Sequence, residues 1–220
     1  MSDSNEQLKQ IQEIHNMMTR SSRFISLSGL SGVFAGIFAL AGAAAFYLYI
    51  NQSTSYGSMK DYLQEIPVEI GSDFLKFCFI DAGLVLFFSL SAGIFFTTRN
   101  AKRNGQKIWD KTAQKLLLHL AVPLVTGGIF CLILLWHGLF GLVAPATLIF
   151  FGLSLLNASK YTLDEIQYLG YCEVLLGLIG SCFIGYGVTL WAIGFGVLLI
   201  IYGLIMYVRY ESKPKEKKFW

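Results

Sequence analysis

The sequence predicts an all-α fold: a polytopic membrane bundle of six transmembrane helices, both ends cytoplasmic, with a short amphipathic helix in front. Three observations predict it. Of the 220 residues, 55% are hydrophobic and only 14% charged, where a soluble domain carries roughly 25% charge. Six apolar stretches, at 24–50, 74–97, 114–137, 139–157, 164–185 and 188–208, approach or exceed the ~20 residues that cross a bilayer core. The 17 Lys and Arg are segregated: all but Lys60 and Lys76 fall in segments that six crossings place on one side. The positive-inside rule makes that side cytoplasmic. A water-soluble fold of this size could not hide so much apolar surface, whereas lipid-facing side chains are apolar too.

The elements follow in order. Residues 1–22 form a polar N-terminal segment in which Leu8, Ile11, His15 and Met18 recur at helical spacing among Glu6, Lys9, Gln10 and Glu13. That pattern is an amphipathic helix, lying on the inner membrane face or offered to a partner as a coiled coil. The first apolar run, from Phe24 to Ile50, is too long for a signal-peptide core and lacks a convincing cleavage site, so it reads as an uncleaved span. It opens the transmembrane domain, residues 23–209. Ser28, Gly32 and Gly36 stand four residues apart on it, a small-xxx-small spacing that lets two helix backbones approach closely. This face packs inside the bundle or joins a homodimer. The outer segment 51–73 has room for a short helix from Met59 to Ile66, ended by Pro67. Asn51-Gln52-Ser53 is a glycosylation sequon in form, but it sits at a helix end.

Span three contains Pro123, which cannot bond the carbonyl of His119, with Gly127 and Gly128 one turn further on; a kink or hinge is expected there. Pro145, in span four, likewise cannot bond the carbonyl of Gly141. Only Trp136-His137-Gly138 separates spans three and four, and only Gly185-Tyr186-Gly187 separates five and six. Both must be tight antiparallel hairpins, because one helix through either would run more than about 50 Å of apolar length. Thr162-Leu163-Asp164-Glu165 has the capping-box pattern and starts span five. Gly170, Gly177 and Gly180 on span five, with Gly194, Gly196 and Gly203 on span six, are further packing positions. Residues 210–220 make a basic cytoplasmic tail.

Ionisable groups within a span are expensive, and by default they are functional candidates. Asp81 lies about eight residues into span two from the outer side, and Glu173 about ten residues into span five from the inner side. Both come near mid-depth and are too short to snorkel. Each therefore needs a proton, a partner or water. Together they could bind a cation or relay protons, with Lys76 as a partner for Asp81 and His119 as one for Glu173. The alternative is that each joins helices through hydrogen bonds.

No other chemistry is expected. His119 and His137 are separated by about 27 Å of helix, too far to share a metal or haem. Gly29-Leu30-Ser31-Gly32 matches the GxSG of rhomboid proteases, but it stands on span one and span six holds no His; a serine without a base in reach is a weak nucleophile. Cys78, Cys131, Cys172 and Cys182 have no ligand or redox spacing. There is no HExxH and no P-loop, so no enzymatic activity, metal or cofactor is expected. The cytoplasmic cluster Arg99, Lys102, Arg103, Lys107 and Lys111, with Lys213, Lys215, Lys217 and Lys218 of the tail, suits anionic lipid heads. It belongs to no nucleic-acid-binding fold. Two readings of function remain: a small transporter-like bundle using the buried acids, or a sensory or partner subunit acting through the N-terminal helix, basic loop and tail.

The stretches Ser21-Ser-Arg-Phe-Ile-Ser-Leu-Ser-Gly-Leu-Ser-Gly32, Ala144-Pro-Ala-Thr-Leu-Ile-Phe-Phe-Gly152 and Asn157-Ala-Ser-Lys-Tyr-Thr-Leu-Asp-Glu-Ile-Gln-Tyr-Leu-Gly170 resemble a group of uncharacterised bacterial multi-pass membrane proteins. The likeness covers most of the chain. It implies a bacterial inner membrane and brings no activity or site residues with it.

Overall fold

The computed structural model describes residues 28–53, 72–103 and 109–211. The expected amphipathic helix of residues 1–22, the Met59–Ile66 helix, Lys107 and the lysines of the tail lie outside the described residues. Among the described residues all regular structure is helical: α1 (Gly29–Ser53), α2 (Ser72–Arg103), α3 (Lys111–Trp136), α4 (Val143–Ala158), α5 (Glu165–Cys182) and α6 (Gly187–Glu211). Single 3₁₀ turns, Phe140–Leu142 and Ser159–Tyr161, flank α4. Two π-helical stretches, Ala192–Leu198 and Tyr207–Glu211, interrupt α6.

Five of these segments are long and apolar enough to cross a membrane: Gly29–Asn51, Phe74–Arg103, Lys111–Trp136, Phe140–Tyr161 and Gly187–Glu211. Helix α5, with 18 residues that include Glu165 and Glu173, is not among them. The chain is thus multi-pass by the length and composition of its helices. Helix α2 runs further than its apolar run of 74–97, because nothing between Thr97 and Arg103 breaks a helix. Its last turn carries Lys102 and Arg103, where cations suit the helix dipole.

Both short connections are turns. Helix α3 ends at Trp136, and Gly138 takes φ +73°, a left-handed conformation that costs glycine nothing. The N–H of Gly138 donates to the Leu135 carbonyl at 3.1 Å and that of Leu139 to Leu134 at 2.9 Å, the paired bonds of a Schellman cap. Gly185, at φ +107°, turns the chain between α5 and α6.

The two prolines hold different positions in their helices. Pro145 falls in the first turn of α4, where its missing N–H has no intrahelical partner to lose. Helix α3 continues unbroken through Pro123. Of the two expected hinge glycines, Gly127 is buried where a Cβ would collide with the Phe150 ring. Gly128 faces open space. The first is a packing site for α4, and only the second leaves its backbone uncovered.

Helices consecutive in the chain run antiparallel, as do α1 and α6, while α4 and α6 meet in parallel. Helix α1 lies between α2 and α6, α6 meets α4 and α5, α4 and α5 pack extensively, and α3 covers α4. Rings join α1 to α2: Phe34 with Phe96 at 4.8 Å, Phe38 with Phe88 at 5.5 Å and Tyr49 with Phe77 at 4.0 Å. Glycines join α1 to α6. A Cβ on Gly36 would stand 2.6 Å from the Gly196 carbonyl, and one on Gly32 3.3 Å from that of Leu199. Ser28, Gly32 and Gly36 thus face α6 within the bundle. Between α4 and α5, Gly152 and Gly170 oppose each other, each within 3 Å of the other's carbonyl by the same measure.

Candidate functional site

At one end of the bundle the start of α1 is tied to the end of α6. Glu211 accepts from the Gly29 N–H at 2.5 Å and from the Ser28 hydroxyl at 3.3 Å. A carboxylate there satisfies orphan donors and the positive end of the dipole. The last π-helical turn of α6 also brings Arg209 to Glu165 at 2.8 Å, with the Tyr210 hydroxyl donating to the same oxygen at 2.7 Å. The helix begins at Glu165, with Asp164 before it making no side-chain cap bond. The Glu165 carboxylate of the expected capping box is therefore engaged by α6.

Glu173 lies two turns further along α5, about 12 Å from Glu165 by helical rise. It is 0% exposed, and among the described residues neither carboxyl oxygen has a hydrogen-bond partner. Its oxygen Oε2 would stand only 2.5 Å from a Cβ on Gly194, and Leu148 closes the same space from α4. The carboxyl thus occupies the room that glycine leaves on α6. Gly194 belongs to the π-helical stretch Ala192–Leu198, and such widened turns recur at functional sites.

The expected groupings do not form. His119 is not a partner of Glu173: its Nε2 meets the Tyr161 hydroxyl at 3.1 Å, its ring stacks on Tyr161 at 4.9 Å, and its carbonyl accepts from Asn157 at 2.9 Å. His119 belongs to the α3–α4 contact, across α4 from Glu173. Lys76 is exposed on α2. It precedes Asp81 by five residues, about 140° around the helix, so the two side chains leave different faces. Asp81 and Glu173 are not one site either. Asp81 lies over Gly42 of α1, on the α1–α2 contact, while Glu173 is enclosed by α4, α5 and α6. Helix α1 stands between them. The order of helices around the bundle decides this, and hydropathy does not encode that order.

Gly194 was expected only as a packing position, and its place opposite Glu173 appears once α5 and α6 are paired. The signal in the sequence is a glycine about the same depth as the acid on the next span. Among the described residues no group of three His, Cys, Asp or Glu side chains could hold a metal ion. Every described Lys and Arg except Lys76 stands at the end of the bundle where Glu211 meets Gly29, as the antiparallel pairings place them. No protein-family model, curated protein or solved structure matches this chain.

Proposed function

We propose that this chain is a six-span protein of a bacterial inner membrane, with both termini cytoplasmic, and that it is a small transporter-like bundle working through one acid, Glu173. Helix α5 is the sixth span: its neighbours α4 and α6 cover it and shelter its acids, so it needs less apolar surface of its own. The orientation is supported by the collection of Arg99, Lys102, Arg103, Lys111, Lys115, Lys160 and Arg209 at one end, the cytoplasmic end by the positive-inside rule.

One observation carries the functional reading. The Glu173 carboxyl is sealed among α4, α5 and α6 without a hydrogen bond among the described residues. An acid held unpartnered inside a bundle is costly, and intramembrane acids of this kind mark proton and ion pathways. The working step is the exchange of a proton at this carboxyl, with the widened turn around Gly194 as the wall that must shift to admit water.

The test is proton flux in vesicles. Purified protein in lipid vesicles holding a pH-sensitive dye should equilibrate an imposed pH step faster than protein-free vesicles. Glu173→Gln should return the rate to that of empty vesicles, while Asp81→Asn keeps it. Wild-type vesicles no faster than empty ones, or a Glu173→Gln variant as fast as wild type, would overturn the reading.

A further inference from the structure

The acid that meets α6 at the cation-bearing end is Glu165, two turns along α5 from Glu173. Its carboxylate takes Arg209 at 2.8 Å and the Tyr210 hydroxyl at 2.7 Å, both from the last π-helical turn of α6. That turn is itself anchored on α1, because the neighbouring Glu211 accepts from the Gly29 N–H and the Ser28 hydroxyl. The path of the backbones explains why side chains are needed here. Helix α6 lies close to α5 over residues 187–198, but over Leu199–Met206 it follows α1 and stands off from α5. A Cβ on Gly203 would be 2.5 Å from the Gly29 carbonyl, a measure of how tightly that stretch is held to α1. The seam between α5 and α6 thus widens toward the cation-bearing end, and side chains fill it. Leu155, Ile166 and Leu169 form a buried cluster with Leu198, Leu199 and Tyr202 packed on it. Glu165 with its two partners closes the mouth of the seam beyond them.

We propose that Glu165 is a positioning residue for Glu173, the gate on its route to the cation-bearing end. Joined to Arg209 and Tyr210, it keeps the seam shut and Glu173 away from water. Released, it lets the seam part at its widest point, so that water reaches the apolar cluster and the wall at Gly194. The partners are matched to that use. The Glu165 side chain is 18% exposed and that of Arg209 64% exposed, so Arg209 can turn into water while Glu165 stays at the mouth. An ion pair with one partner largely in water is weak and is loosened by salt, which suits a contact that must break during a working cycle. Glu211 meanwhile holds α6 on α1, so the opening is confined to the α5 side. The inference rests on Glu173 as the working acid and adds how access to it is controlled.

The experiment reads access to the seam separately from flux. In a cysteine-free background of the full chain, Leu169→Cys places a thiol within the cluster, one turn from Glu173. Inverted membrane vesicles, which turn the cytoplasmic face outward, are treated with an impermeant thiol reagent. With Glu165 in place the thiol should be nearly unreactive. Glu165→Gln should speed its labelling about tenfold, the change expected when a hydrogen-bonded ion pair no longer holds the closed form. Should that variant fail to insert, Arg209→Gln breaks the same pair from its exposed side and should give the same rise. The exchange of Glu165→Arg with Arg209→Glu should slow labelling again, which a general loosening of the bundle would not do. Glu165→Gln should also speed proton flux, and adding Glu173→Gln should remove that flux while labelling stays fast. Labelling as fast with Glu165 as without it, or undiminished by the charge exchange, would overturn the gate. Labelling seen only in spheroplasts would overturn it by placing the mouth at the outer face. A seam that opens as expected in protein without proton flux would overturn Glu173 as the acid it serves.

Discussion

Glu173 concentrates the conflict between stability and use. An acid without a hydrogen bond in a packed interior is a liability, since a buried polar group left unsatisfied costs about 1–3 kcal/mol and an apolar replacement of similar shape removes that cost. Glu173→Leu is therefore expected to raise resistance to thermal unfolding in detergent while abolishing flux; a variant less stable than wild type would show that the carboxyl makes bonds that hold the bundle. That an acid sits at this depth was legible in the sequence, because the span boundaries fix the depth of every residue along a helix. Its surroundings were not. Rotation of α5 about its axis and the identity of its neighbours decide whether Glu173 meets His119 or Gly194. A pattern apolar on nearly every side carries almost no information about rotation. The same indifference separated Asp81 from Lys76 and from Glu173.

At the scale of the helix, the sequence was far more informative. Hydropathy located every described helix to within a few residues, apart from the polar extension of α2. The turn at Gly138 was legible because a glycine after a helix end has a specific use, the left-handed cap. Glycines inside helices are harder to rank from sequence. Gly152 and Gly128 look alike there, yet a Cβ on Gly152 would stand 2.7 Å from the Gly170 carbonyl, while Gly128 faces open space. Gly152→Leu should cost about 1–3 kcal/mol or more, the usual range for overpacking, and Gly128→Leu close to nothing. Unfolding titrations of the two variants check this, and equal losses would remove the α4–α5 glycine contact from the account. Pro145 shows the converse error: a proline that looked interior belongs to a first turn, because the 3₁₀ turn Phe140–Leu142 begins the descent before the α-helix does.

For the molecule as a whole, the antiparallel order α2–α1–α6, then α5 and α4, then α3, collects the described cations other than Lys76 at one end. The count of spans and the side on which the cations fall are testable together. In a cysteine-free background that retains flux, single cysteines placed at Lys102 and Lys160 should react with an impermeant thiol reagent only after the cells are opened. Cysteines at His137 and Tyr186 should react in intact spheroplasts. Labelling of Tyr186 and Lys160 positions from the same side would remove α5 as a crossing and break the even count. What the sequence could not order is the ring of neighbours, since any alternating arrangement of six helices satisfies the same charge asymmetry.

The bond from Gly29 to Glu211 has a consequence for how the chain can be rewired. The first and last described residues of the bundle meet at one end, so a short linker could join residue 211 to residue 28 without crossing any helix. New ends opened between Arg103 and Trp109 would emerge on that same side. The permuted order, α3 to α6 followed by α1 and α2, keeps every helix in its original direction and leaves both new ends where the cations gather. Domains whose termini lie close together tolerate such permutation. The four-helix and two-helix halves would then be translated in reverse order yet assemble into one bundle. The contacts of Glu173 lie wholly within the first half made, and the approach of Asp81 to Gly42 wholly within the second.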